Sequence, residues 1–207
     1  MRLLLLSLHP GAMRAFLDEP DAAGRGPIVY VADAQAAYAG APFVAAERES
    51  VATFGREVID VTVRDVEPAD FDALLSTAGA VYVAGGSTFA LLEALRSSGN
   101  DAVLIDHVRR GLRYIGLSAG SIVAGPDVTP ASIMDDPADG PALASRAGLG
   151  LVGRTVIPHA DGALPPYPPE LIQRTLDAYG SDFALLPLRD DQALLVDGET
   201  ETLIASR

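Results

Sequence analysis

The residues of this chain best suited to chemistry are Gly116-Leu117-Ser118-Ala119-Gly120. They follow an apolar run, 112–117, and precede a stretch of helical character, 119–124. A strand, a tight turn and a helix in that order lift a serine hydroxyl above a sheet edge, as in a nucleophile elbow. Small residues at 116 and 120 let the backbone pass closely. The first N–H groups of the helix, notably that of Ala119, then point at a developing oxyanion. The same five residues would also serve as a plain tight turn of an α/β domain.

A second strand-to-helix turn is Gly85-Gly86-Ser87-Thr88-Phe89, after an apolar run ending at Ala84. Two glycines permit unusual dihedrals and leave N–H groups free. Ser87 or Thr88 suits a helix cap, and the backbone of Gly86 suits a second oxyanion donor. A serine nucleophile needs a base, and the chain has three histidines. His107 lies near a helix end beside Arg109 and Arg110 and reads as a surface residue. His9 follows the first apolar run. His159, after the run 151–158 and bracketed by Pro158, Asp161 and Gly162, has the best position. A carboxylate to orient the imidazole is offered by Asp127, Asp135, Asp136, Asp161, Asp190 and Asp191. Asp190 and Asp191 sit between two apolar runs, where either a catalytic loop or a simple hairpin turn would fit.

Composition narrows the chemistry. All fifteen basic residues are Arg, so a Ser–Lys dyad, a Schiff-base lysine and a standard P-loop are excluded. There is no Cys, which removes thiolate catalysis, disulfides and Cys-ligated metal. No cofactor or metal is expected. Twenty-eight acidic residues give a net charge of −13 with no basic stripe, which disfavours nucleic acid as a partner. The opening run 3–8 is too short to span a bilayer and reads as a buried strand. A cytoplasmic protein with no membrane partner is expected.

These residues must be positioned by a sheet. Apolar runs at 3–8, 28–32, 58–63, 80–84, 112–117, 151–158, 183–188, 193–196 and 201–205 read as strands. Helical patterns lie at 11–18, within 34–54 after Pro42 with Val44, Val51 and Phe54 on one face, and at 70–78, 88–98, 102–110, 119–124 and 170–179. Residues 21–27 read as a turn, 126–150 as the longest loop, and 165–169 as a proline cluster. The alternation predicts an α/β fold, a mostly parallel sheet flanked by helices on both faces. Residues 1–207 read as a single domain, a length that suits one sizeable core.

Several segments agree in order and spacing with one family: 3–7, then Val-Tyr-Val-Ala-Gly-Gly-Ser-Thr-Phe-Ala-Leu-Leu at 81–92. Arg-Arg-Gly-Leu-Arg-Tyr-Ile-Gly-Leu-Ser-Ala-Gly-Ser-Ile-Val-Ala-Gly-Pro follows at 109–126, then Pro158-His159 and 188–194. Over most of its length the chain resembles the peptidase E family, aspartyl dipeptidases related to the class I glutamine amidotransferase-like fold. The resemblance implies a serine peptidase with Ser118 as nucleophile, His159 as base and Asp190 as the acidic third member, where related dipeptidases have Glu. It places the oxyanion hole at Gly86 and Ala119. Small peptides are the implied substrates, hydrolysed through an acyl-enzyme, by a monomer or homodimer. A site partly roofed by 126–150 would exclude folded chains.

The chain departs from that family where the substrate is recognised. Ser87 stands where the dipeptidases have Asn, and Ala131-Ser132-Ile133 stands near their Thr-Asn-Asp stretch. Pro169 falls near the place of an Arg held to grip the substrate aspartate, with Arg174 nearby in sequence. Ser87, Ile133 and Arg174 are therefore the expected substrate contacts. Strict preference for a first-residue Asp is not expected unless Arg146, Arg154 or Arg174 folds inward. The alternatives are an esterase, amidase or isopeptide hydrolase of the same fold, or a binding domain without catalysis.

Overall fold

The centre of the protein is a run of short strands whose residues are apolar toward both faces. The structure is a computed structural model and describes residues 1–19 and 26–207. Five strands lie parallel, β1 (Arg2–Leu6), β2 (Ile28–Val31), β3 (Val58–Val61), β4 (Ala80–Val83) and β5 (Arg113–Leu117). Two more, β8 (Gln192–Asp197) and β9 (Thr200–Ala205), continue the sheet antiparallel beyond β1, giving the order β3-β2-β4-β5-β1-β8-β9. Side chains alternate between the faces. Leu3, Leu5, Val29, Val31, Val81 and Val83 enter one core, and Leu4, Leu6, Ile28, Tyr30, Tyr82 and Ile115 enter the other.

Helices cover both cores. On the first lie α3 (Pro68–Thr77), α4 (Thr88–Ser98), α5 (Asn100–Arg109) and α6 (Ala119–Val123), through Phe71, Leu92, Leu104 and Ile122. On the second lie α1 (Met13–Asp18) and α2 (Pro42–Ala52), through Phe16 and Val51. A separate parallel pair, β6 (Thr155–Ile157) and β7 (Leu185–Pro187), is joined by a connection that includes α7 (Pro169–Tyr179). The fold is thus the expected α/β class. Among the described residues no helix is long and apolar enough to cross a membrane.

Three local expectations are corrected. The run 151–158 forms a strand only at Thr155–Ile157. Leu149 and Leu151 are buried but donate their N–H groups to Val123 and Ala124 at the end of α6, so that stretch caps a helix instead of joining a ladder. The 126–150 segment is not structureless. It carries 3-10 helices at Thr129–Ile133 and Pro137–Asp139. His107 is buried, and its Nε2 lies 2.8 Å from Asp72 Oδ1, so it ties α5 to α3. The turn expected at 21–27 lies mostly outside the described residues.

The register decides what meets at the sheet edge. Leu6 pairs with Leu117, Val83 with Gly116, and Leu6 also with Ala193. The residues just beyond β1, β4 and β5, and those just before the antiparallel β8, therefore gather at one place. It is the carboxyl edge of the parallel strands, where α/β sheets bind ligands.

Candidate active site

Ser118 follows β5 with φ +47°, a positive value rare outside glycine. Its N–H donates to Leu6 O at 3.1 Å, and its own carbonyl accepts from Ser121 and Ile122 at the start of α6. The elbow leaves no room for side chains beneath it. A Cβ on Gly120 would lie 2.1 Å from Val83 O. Such strain persists only where surrounding contacts fix it, and it is concentrated at functional positions.

His159 lies two residues beyond β6, buried and also at positive φ, +59°. Its Nε2 lies 3.0 Å from Ser118 Oγ. On the other side of the ring, Nδ1 lies 2.7 Å from Asp190 Oδ1. A carboxylate only accepts, so it sets the tautomer with the proton on Nδ1 and leaves Nε2 to accept from the serine hydroxyl. Tyr167 stacks on the imidazole, with ring centroids 4.7 Å apart and planes 12° apart.

Asp190 is buried just before β8. Its carbonyl accepts from the N–H of His9. Ser7, at the end of β1, joins the pieces: its Oγ donates to Asp190 Oδ1 at 3.1 Å and accepts from the His159 N–H at 2.8 Å. Four strand ends thus fix the serine, histidine and aspartate relative to one another.

The other candidates are engaged elsewhere. The His9 side chain is exposed. Asp127 and Asp136 accept from backbone N–H groups two residues on. Asp191 pairs with Arg189 and Arg207, and the Arg189 hydrogen bond holds its carboxyl below the ordinary range. Asp161 approaches the Asp190 N–H at 3.4 Å. Asp135 accepts from the N–H and hydroxyl of Thr88 and from the Tyr167 hydroxyl.

Beside Ser118 opens a cavity of about 320 Å³, walled by Gly85, Gly86, Glu47 and His159 and by apolar groups including Leu8, Phe43, Leu164 and Pro166. Gly86 has φ +133°, and a Cβ there would lie 2.2 Å from Ala34 O, so only glycine fits. Among the described residues the N–H groups of Gly86 and Ala119 donate to no other group. The wall comes from 164–167 and from Tyr38 and Phe43, not from the 126–150 segment expected to roof it.

The three expected substrate contacts are not brought to this cavity. Ser87 is fully buried, and its Oγ accepts from the Ala90 N–H as the cap of α4. Ile133 is half-buried in the Thr129–Ile133 turn, and Arg174 is exposed on α7. Among the described residues no Arg lines the cavity.

Two solved structures share this fold. A putative peptidase E protein from Listeria monocytogenes superposes with a TM-score of 0.86 at 21% identity, covering 99% of this chain and 98% of that one. A peptidase from an acI-B1 actinobacterium superposes with a TM-score of 0.76 at 19% identity, covering 99% and 87%. Residues 12–204 match Peptidase family S51, and the chain belongs to that family. Among relatives, Peptidase E of Streptomyces coelicolor is 31% identical over 223 aligned positions, spanning 100% of this chain and 85% of that protein. An uncharacterised peptidase of Pasteurella multocida is 34% identical over 59% of this chain, a match spanning 58% of that protein's length.

Ser7 and Glu47 escape the sequence reading. Glu47 had a signal, for it lies between Val44 and Val51 on the inner face of α2, where a charge is out of place. Its Oε1 accepts from Gly85 N–H at 3.0 Å and Tyr82 OH at 3.1 Å, and its Oε2 from Gln35 Nε2 at 3.0 Å. Burial nonetheless pushes its carboxyl up to about 7. Between the ordinary Glu value and 7 the folded protein then holds a proton that the unfolded chain has lost. Stability attributable to Glu47 therefore falls as pH rises through that window, by an order of about 3 kcal/mol. Urea unfolding of wild type and Glu47→Gln at pH 5 and pH 8 should show a smaller loss in the variant. Equal losses would contradict a buried, proton-holding Glu47.

Proposed function

We propose that the protein is a serine peptidase that hydrolyses small peptides, with dipeptides as the preferred size. The observation that carries this reading is the Ser118–His159–Asp190 chain of contacts, 3.0 Å and 2.7 Å long, beside a cavity. In the proposed reaction His159 Nε2 takes the Ser118 hydroxyl proton as Oγ attacks the scissile carbonyl carbon. The carbonyl oxygen becomes an oxyanion and receives the N–H groups of Gly86 and Ala119. Collapse breaks the C–N bond, and His159 gives its proton to the leaving amine. Water, deprotonated by His159, then attacks the acyl-enzyme and releases the acid, and Ser118 regains its proton. Asp190 keeps the imidazole in the orientation and tautomer that the proton transfers need.

The wall chemistry supports a neutral first residue. An aspartate side chain would face apolar groups and Glu47, with no Arg among the described residues lining the cavity to pair it, and an unpaired carboxylate in such a place is costly. Ala-Leu and Met-Leu should exceed Asp-Leu in kcat/KM by at least about 10-fold, the scale of one unpaired polar group. A dipeptide panel varying the first residue, run on wild type and Ser118→Ala, tests both activity and preference. Absence of Ser118-dependent turnover on the panel would contradict the peptidase reading. A preference for Asp-Leu would contradict the specificity.

A further inference from the structure

Glu47 is a carboxylate whose partners are all neutral. Tyr82, Gly85 and Gln35 donate to it, and no cationic side chain among the described residues forms an ion pair with it. The nearby Arg48 is turned to Asp60 and over the Tyr30 ring. Glu47 nevertheless forms part of the cavity wall with Ser118. Gly85 adjoins both: a Cβ there would be 3.5 Å from Glu47 Oε2, from Ser118 Cβ and from Leu117 O. Glu47 Oε2 and Ser118 Cβ are therefore within twice that distance of each other, on the wall of one cavity.

We infer that Glu47 is the specificity-determining residue that receives the free α-ammonium group of the substrate's first residue. The inference rests on the reading of Ser118 as the attacking group. An α-nitrogen is two bonds from the attacked carbonyl carbon, which must come to about 3–3.5 Å from Oγ. A carboxylate reaching it at about 2.7–2.9 Å then falls within the span that separates Glu47 Oε2 from Ser118 Cβ. The substrate's ammonium group would supply the missing cation and favour the ionised carboxylate that burial otherwise disfavours, which gives a reason for an acid kept among apolar residues and neutral donors. The site would thus select peptides by their unblocked amino terminus, consistent with a preference for dipeptides over internal bonds of longer chains.

Binding separates this inference from the chemistry. In the Ser118→Ala protein, NMR titration with Ala-Leu and with N-acetyl-Ala-Leu should give a dissociation constant at least about 10-fold lower for the free amine, the scale of one charge-assisted contact. Adding Glu47→Gln should erase that difference while leaving N-acetyl-Ala-Leu binding within a few-fold, and Glu47→Asp should restore part of it. Equal binding of the two peptides to Ser118→Ala would overturn the inference, with no need of a Glu47 variant. So would a free-amine preference that survives Glu47→Gln, or loss of both peptides in that variant. Failure of the peptidase reading is distinct: wild type would not hydrolyse Ala-Leu while the binding difference persisted.

Discussion

Ser118→Ala is expected to lower kcat/KM for Ala-Leu by about 10⁴- to 10⁶-fold, the range in which a serine of a three-membered unit fails. In the proposed reaction the serine supplies the attacking atom, so its loss would leave only binding and oxyanion donation. His159→Ala alone should cost a comparable factor, and the double variant little more than either single one. Residues that act as a unit are not additive. The substitution removes one hydroxyl and keeps the backbone donor bond to Leu6, so the unfolding midpoint should move little. Kinetics of the two single variants and the double variant decide the matter. Turnover within about 10-fold of wild type in Ser118→Ala, or losses that multiply, would contradict the assignment.

Asp190→Asn is expected to cost about 10⁴-fold in kcat, for a reason of proton placement. Asp190 accepts from Nδ1 at 2.7 Å and from Ser7 Oγ at 3.1 Å. An amide can turn its NH₂ toward Nδ1, which then has to accept. The ring proton moves to Nε2, and Nε2 can no longer accept from Ser118. The side chain is nearly isosteric, so Ser7 retains a partner and the fold has little reason to change. Asp191→Asn is the matched control, since Asp191 faces Arg189 and Arg207, and its kcat should stay near wild type. A small effect of Asp190→Asn, or a large one of Asp191→Asn, would place the orienting carboxylate elsewhere.

Much of the frame is legible in the sequence because burial there is periodic or continuous. The apolar runs at 28–32, 58–63, 80–84 and 112–117 fall on β2 to β5, and the 88–98 pattern coincides with α4. Apolar character alone cannot separate a strand from a buried cap. For that reason 151–158 reads as a strand, although Leu149 and Leu151 bond to the end of α6. His107 reads as surface from its Arg neighbours, whereas its partner, Asp72, lies 35 residues away on another helix.

The elbow serine is visible because the chemistry and the turn share five adjacent residues. The histidine and aspartate are visible only as candidates, and family resemblance narrows them to His159 and Asp190. Their approach to Ser118 depends on β8 running antiparallel beside β1, which no local pattern encodes. Ser7 illustrates the same limit: its bonds to His159 and Asp190 span 152 and 183 residues. At Ser87 the resemblance implies a substrate contact and the local pattern a helix cap, and the side chain is buried as the cap of α4. The cavity wall at Leu164, Pro166 and Tyr167 falls in and beside a proline cluster, and no local pattern marks Tyr167 as the neighbour of the His159 ring.

The central claim is that Ser118 is a nucleophile activated by His159 under the orientation of Asp190. A fluorophosphonate probe tests it most directly, by intact mass and by mapping of the modified peptide. One adduct per chain on Ser118 is expected, absent in Ser118→Ala and formed far more slowly in His159→Ala and Asp190→Asn. No adduct in the wild type, an adduct on another residue, or labelling of Ser118 at an unchanged rate without His159 would contradict the account.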